Sequence, residues 1–272
     1  MKDQKQMKKE HVLITGASSG IGLEIAKKFA SIGFSLVLVA RRERILKKVA
    51  QSLISEYGVN IDYFSADLEM PSTPNEIYDF CHSKEYFVSI LVNNAGYALP
   101  DTFHKTPMEA EEKFLRVLGI SVIALSKLFI KDMIKAKKGK IMMISSVAAF
   151  APPSSIQILY GPIKTFINRF SEGLNLSYNS YGINSTSVCP GYTITNFHTA
   201  SGVQAEMDRV PSFMKKEAYR IAEEAVEATL KGDRECVPTK TYKVIVFLLK
   251  LLPHWLFPLF SKRLAPGRYD KK

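Results

Sequence analysis

The chain is poor in cysteine. Cys81, Cys189 and Cys236 are an odd number, far apart, with no C-x-x-C pair and no His/Cys cluster at zinc spacing. That argues against a disulfide framework, a structural zinc site or any resident metal. Thiols left reduced suit a cytoplasmic compartment. Met1 to Glu10 is polar throughout and holds nothing like the apolar stretch of a secretory signal. No apolar run reaches the ~18 to 20 residues that cross a bilayer. The nearest, Tyr242–Phe260, is interrupted by Lys243, Lys250, Pro253, His254 and Pro258. Internal repeats and Pro/Gly/Ser-rich linkers are missing as well. With 46% hydrophobic and 23% charged residues among 272, the composition is that of one soluble globular domain.

Acidic residues are scarce at the two ends. The formal net charge is +11, yet residues 1–10 set four lysines against two acids and residues 231–272 set ten basic groups against three acids. The body between them is nearly neutral. A nucleic-acid-binding fold would carry a basic patch in its body, so no nucleic-acid partner is expected. The same pattern divides the chain into a polar extension (1–10), a main domain (11–240) and a basic, apolar tail (241–272).

Within the domain, short β-branched or aliphatic runs alternate with stretches of helical length. His11–Thr15, Leu36–Ala40, Ile61–Ser65, Ile90–Asn93, Lys140–Ser145 and Ile183–Val188 read as strands, and a short last strand is expected near Glu235–Val237. Ile21–Ala30, Arg42–Tyr57, Glu109–Lys137, Ile156–Tyr181 and Lys216–Leu230 read as helices. Near-continuously apolar strands alternating with helices predict an α/β fold. It would be a single doubly wound Rossmann-type domain, a parallel sheet of about seven strands flanked by helices on both faces.

Thr15-Gly16-Ala17-Ser18-Ser19-Gly20-Ile21-Gly22 follows the first strand and opens the first helix. Glycines let a backbone turn sharply there and approach a pyrophosphate, which the free N–H groups and dipole of a helix N-terminus favour. The spacing differs from G-x-G-x-x-G, and a generic glycine turn is the plainer alternative. The second strand ends at Ala40 and is followed by Arg41 and Arg42, where an NAD-preferring fold offers an acid to the ribose 2′-hydroxyl. Guanidinium groups pair well with a 2′-phosphate, so the expected cofactor is NADP(H). A solvated basic helix start is the alternative. Tyr160 and Lys164, four apart in a helical stretch, project from one face.

These features, taken in order, resemble the short-chain dehydrogenase/reductase family. The resemblance runs from His11 to about Phe197 through the Thr15–Gly22 turn, Asp67-Leu68, Asn93-Asn94-Ala95-Gly96, Ser145-Ser146, Tyr160 with Lys164, and Pro190-Gly191 with Thr195. It implies a carbonyl/alcohol oxidoreductase in which Ser146 hydrogen-bonds the substrate oxygen and Tyr160 gives or takes the proton. A free tyrosine titrates near 10, so work near neutrality needs a cation beside it. Lys164 is that cation and also a ribose ligand. The remaining cofactor residues implied are Gly16, Ser18, Ser19, Gly20, Ile21 and Gly22 in the turn and Asp67 and Leu68 at the adenine. Asn94, Ala95 and Gly96 would line the adenosine side, Thr193 and Thr195 would sit near the carboxamide, and Pro190 and Gly191 complete the cofactor set. Ser145 is the alternative to Ser146, although the second serine is the family's usual choice. Family members commonly form homo-oligomers through their two longest helices.

Three positions depart from the family pattern. Leu118 stands where a relay asparagine is usual, with Gly119 beside it to loosen the helix; the Ser–Tyr interval is one residue longer; and Pro162 lies between Tyr160 and Lys164. They motivate a second reading, a non-catalytic NADP(H)-binding regulator. Substrate choice in the family lies after Pro190-Gly191, here Tyr192–Phe213, whose Phe197, Val203, Met207, Val210 and Phe213 suit either an apolar lid over an acyl, lipid or polycyclic substrate or core packing. On a helix, Lys243, Lys250 and His254 form a narrow polar stripe on an otherwise apolar tail. That tail must be buried in the protein's own core or lid, in an oligomer interface, or in the plane of a membrane surface.

Overall fold

The computed structural model describes residues 9–99, 101–152, 158–195 and 210–251. Most of the polar extension, the lid residues Phe197, Val203 and Met207, and the tail beyond Leu251 lie outside the described residues.

Short apolar runs form β1 (Glu10–Thr15), β2 (Ser35–Ala40), β3 (Ile61–Ser65), β4 (Phe87–Asn93), β5 (Gly139–Ile144) and β6 (Ile183–Val188). The two-residue strands β7 (Thr193–Ile194), β8 (Lys216–Glu217) and β9 (Glu235–Cys236) follow. Seven of them make one sheet in the order β3-β2-β1-β4-β5-β6-β9, and every pairing is parallel. The chain winds outward from β1 to β3, crosses back to β4 and winds out again on the other side. This leaves a crevice beyond the C-terminal ends of β1 and β4, the topological switch point.

Alternation along each strand sends side chains to two faces. Val12, Ile14, Leu36 and Leu38 pack with α1 (Gly20–Ser31) and α2 (Glu43–Tyr57). Leu13, Val37, Val39 and Leu91 point the other way, with Ile77 of α3 (Thr73–Ser83), Phe114 of α4 (Met108–Leu115), Leu125 and Phe129 of α5 (Ser121–Ala136) and Ile167 of α6 (Tyr160–Tyr178). After β8, α7 (Ala218–Lys231) returns to the first face through Ala222, Ala225 and Val226. Finally α8 (Lys240–Leu251) covers a third, smaller cluster of Cys189, Val237, Tyr242 and Val246.

Several elements differ from expectation, among them β4, which begins at Phe87. The helix expected over Glu109–Lys137 is divided by one turn of π-helix, Arg116–Ile120. The helix expected from Ile156 begins at Tyr160. Lys216 and Glu217 pair with Thr193 and Ile194 as strand before α7 begins. Helix α3, with Pro74 in its first turn, had no counterpart in the sequence pattern. All three cysteines are buried and free.

Candidate active site

The turn between β1 and α1 is held in shape from behind. Thr15 Oγ1 accepts the backbone N–H groups of Asn94 (3.0 Å) and Ala95 (3.1 Å), and Asn94 Nδ2 donates to the Thr15 carbonyl at 2.8 Å. Gly16 and Gly20 adopt φ of 68° and 58°, the left-handed region where a side chain is strained. At Gly16 a Cβ would also lie 2.9 Å from Ala95 Cα. Only bare backbone lets the turn lie against the β4 loop, so the N-terminus of α1 stays open to a ligand.

That opening is one end of a cleft of ≈ 590 Å³ at the switch point. Gly16, Ser18, Ser19, Gly20 and Ile21 line it, with Arg41, Arg42, Asp67 and Leu68 at the ends of β2 and β3. Asn94, Ala95 and Gly96 lie beyond β4, and Pro190, Gly191, Thr193 and Thr195 beyond β6. Ser146, Tyr160 and Lys164 share the same space. Gly22 is the one expected site residue that does not line the cleft. It lies beneath the turn, where a Cβ would sit 2.5 Å from the Gly16 carbonyl oxygen, so its work is close packing.

Arg41 Nη1 is 3.3 Å from Glu69 Oε1 and 3.9 Å from Asp67 Oδ2, while Arg42 Nη2 is 3.4 Å from Ser18 Oγ. Both arginines line the cleft. Glu69, Tyr97 and Val117 also line the cleft but were not anticipated. Burial, the carboxylates Glu69 and Asp67 and the carboxylate of Glu111 push the Tyr97 hydroxyl up to about 12, against a smaller opposing pull from Arg41.

At the inner end the two serines divide their work. Ser145 donates its hydroxyl to the Lys164 carbonyl at 3.0 Å and its N–H to the Val188 carbonyl at 2.7 Å. Ser146 Oγ caps the turn Val147–Ala149 by accepting the Ala148 N–H at 3.1 Å. Its longer contact to the Pro190 carbonyl, 3.5 Å, is easily exchanged for another acceptor.

Lys164 is buried and donates to the Ile144 carbonyl at 2.8 Å. Its ammonium lies 5.5 Å from the centre of the Tyr160 ring. A cation beside the ring favours the phenolate over the neutral phenol. Burial in turn draws the lysine down from 10.5 to about 8, so it stays charged at neutral pH. Holding that charge is costly, about 3 kcal/mol at ~1.4 kcal/mol per pH unit. Because the folded lysine binds its proton less tightly than the unfolded one, the cost is full below pH 8 and falls away between 8 and 10.5. Lys164→Met should therefore raise stability at pH 7 by about 1 to 2 kcal/mol, the lost Ile144 contact offsetting part of the gain. Urea unfolding checks this: the gap between variant and wild type should close as pH rises to 10, and a variant less stable at pH 7 contradicts it.

Two of the family departures have a structural account. Pro162 is the third residue of α6, whose first intrahelical bond runs from Ile163 N–H to the Leu159 carbonyl. An N–H at position 162 would have no helical partner, so the proline removes nothing. Leu118 sits in the π-turn, where Ser121 N–H bonds the Arg116 carbonyl and Ser121 Oγ donates to the Val117 carbonyl at 2.7 Å. The helix does loosen beside Gly119, but the Val117 carbonyl is already taken by Ser121. Leu118 lines the cleft and packs against Gly96.

Among the described residues, no cluster of His, Cys, Asp or Glu could hold a metal ion, and no helix is long and apolar enough to cross a membrane. An open helix N-terminus, two guanidinium groups and a buried ammonium along one cleft fit an elongated phosphorylated dinucleotide.

Known proteins resemble the chain in sequence and in fold. The chain is 32% identical over 195 residues to very-long-chain 3-oxoacyl-CoA reductase of Anas platyrhynchos, covering 70% of this chain and 61% of that protein. The matched stretch is thus about three fifths of that relative's length. It is 31% identical over 194 residues to the human inactive hydroxysteroid dehydrogenase-like protein 1, covering 70% and 57%. Among solved structures, a short-chain dehydrogenase from Sphingobium yanoikuyae in complex with NADPH superposes with a TM-score of 0.79 at 28% identity, covering 97% of this chain and 98% of the other. The family model for short chain dehydrogenases matches residues 10–205. The chain belongs to the short-chain dehydrogenase/reductase family of oxidoreductases.

Proposed function

We propose that the chain is an NADP(H)-dependent enzyme that interconverts a carbonyl and an alcohol on an apolar substrate of the acyl, lipid or polycyclic class. The observation that carries this is the buried Lys164 ammonium 5.5 Å from the Tyr160 ring, with Ser146 in the same cleft. The bound nicotinamide supplies or accepts the hydride. Ser146 Oγ orients the carbonyl oxygen, Tyr160 OH delivers its proton, and Lys164 holds the phenolate that remains. Arg41, Arg42 and Ser18 would take the 2′-phosphate. The reductases named above, and a bulky-bulky ketone specific alcohol dehydrogenase from Comamonas testosteroni with a TM-score of 0.75 and 25% identity over 96% of both chains, support a large apolar substrate. The test is NADPH consumption by the purified full chain against aldehydes, bulky ketones and long-chain 3-oxoacyl thioesters. Turnover that rises with chain length or ring number supports the proposal.

The second reading, a cofactor-binding regulator without turnover, draws on Leu118 and on the relative named as inactive. Tight NADPH binding with no consumption across that panel would favour it.

Partners follow from the surface. Helix α8 shows a second apolar stripe, Val244, Phe247, Leu248 and Leu251, all exposed. The sequence beyond it is mostly apolar to Phe260, with His254 within it, and then carries Lys262, Arg263, Arg268, Lys271 and Lys272 against Asp270 alone. That combination suits the surface of an anionic bilayer from its cytoplasmic side. Wild type should float with phosphatidylserine vesicles, and Phe247→Glu with Leu248→Glu should stay behind; equal partition contradicts the contact. Exposed Ile120 in the π-turn and Phe166 and Leu176 on α6 favour a homo-oligomer through these helices, which sedimentation as a monomer would refute.

A further inference from the structure

Beyond β6 the cleft is lined by Pro190, Gly191, Thr193 and Thr195, in the first described stretch of the segment between β6 and α7. That stretch is joined to the last one by strands β7 and β8 and by the Lys216 N–H donating to the Tyr192 carbonyl at 2.9 Å. A third tie comes from the far C-terminal end of the domain. Tyr242, in the first turn of α8, is buried. Its hydroxyl accepts the Tyr192 N–H at 2.9 Å and donates to the Met214 carbonyl at 2.8 Å. One oxygen thus binds the first and the last stretch of the segment at once.

The ring of Tyr242 lies flat against Gly191, where a Cβ would come within 2.0 Å of the ring carbons. Gly191 is therefore needed for contact with α8, besides lining the cleft. The turn so fixed is the one that faces Ser146. The Val147 N–H donates to the Pro190 carbonyl at 3.0 Å, and Thr193 Oγ1 donates to the Gly191 carbonyl at 3.0 Å. Helix α8 is itself anchored, by Lys243 to Glu224 at 2.9 Å and Lys250 to Glu235 at 2.7 Å. A fixed helix that holds both described stretches sets where the 190–195 wall of the cleft stands.

We propose that Tyr242 is a positioning residue for substrate recognition: its hydroxyl clips Tyr192 and Met214 to α8 and so sets the 190–195 wall of the cleft beside Ser146. The inference rests on the enzyme reading above for its kinetic consequence, but not for its structural one. Tyr242→Phe keeps the ring over Gly191 and removes only the clip. In the variant the Tyr192 amide should exchange its hydrogen at least ~10-fold faster, and KM for the best ketone or acyl substrate should rise about 10-fold. The kcat should stay within about threefold, and the NADPH Kd within about twofold, because the dinucleotide is held mainly by the β1 and β2 loops. A tyrosine that merely fills the core would lower thermal stability and leave KM and the Tyr192 exchange rate as they are, and that result overturns the proposal. Hydrogen exchange is read without substrate, so it separates failure of the clip from failure of the enzyme assignment. Unchanged exchange sinks the clip whatever the kinetics; faster exchange in a protein that turns over nothing leaves the clip standing and removes the enzyme reading.

Discussion

Replacing Tyr160 by phenylalanine should abolish turnover, with kcat lowered at least ~10³-fold, while NADPH binds within about twofold of wild type. The variant loses one oxygen at the first residue of α6 and keeps the ring against its neighbours. General acid catalysis is worth about 10² to 10⁴ in rate, and the hydroxyls of Ser145 and Tyr97 are poor substitutes. Ser145 is tied to the Lys164 carbonyl and Tyr97 is held near 12, so neither can deliver a proton near neutrality. Lys164 keeps its ammonium and its contact to the Ile144 carbonyl, which preserves the cofactor end of the cleft. Steady-state kinetics beside a fluorescence titration of NADPH separates the two effects. A Tyr160→Phe protein with more than a tenth of wild-type kcat would place the proton donor elsewhere.

The second large effect concerns cofactor choice. Arg41→Asp should weaken NADPH binding about 100-fold and leave NADH binding unchanged or slightly tighter. Arg41 is largely exposed and held by Glu69 at 3.3 Å and Asp67 at 3.9 Å. A doubly charged phosphate can draw the guanidinium from these carboxylates, since charge-assisted pairs to phosphate are the stronger kind. In the variant three carboxylates would stand at that end of the cleft and repel the phosphate, while an aspartate is a good acceptor for a plain ribose hydroxyl. Arg42 remains beside Ser18, which keeps the loss finite. Competition between the two cofactors, measured at fixed salt because the effect is electrostatic, reads the ratio directly. An unchanged NADPH/NADH ratio would mean that the 2′-phosphate is held elsewhere.

Much of this was legible in the sequence because the signals were local. Short β-branched runs gave the six long strands, and the spacing of glycines after β1 marked the open helix N-terminus. What escaped depends on contacts across the chain. Glu69 meets Arg41 from 28 residues away and Tyr242 meets Tyr192 from 50, separations at which no periodicity speaks. Gly119 signalled a loosened helix, but the π-turn itself was hidden because apolar residues continue through Arg116–Ile120. Helix α6 begins four residues later than its apolar pattern suggests, since the proline at 162 is comfortable only in a first turn. Gly22 was expected at the ligand because it shares a motif with Gly16 and Gly20; only the fold shows that it faces the protein.

The account stands most directly on the transfer of hydride and proton within one cleft. The decisive measurement is a single-turnover reaction of the full chain with NADPH deuterated at the transferring carbon, using the best ketone or acyl substrate, followed by mass analysis of the product. Wild type is expected to give an alcohol carrying one deuterium at the former carbonyl carbon, and Tyr160→Phe to give none while retaining the bound cofactor. Cofactor that stays bound and undepleted in wild type, or label transferred equally by both proteins, would contradict the account.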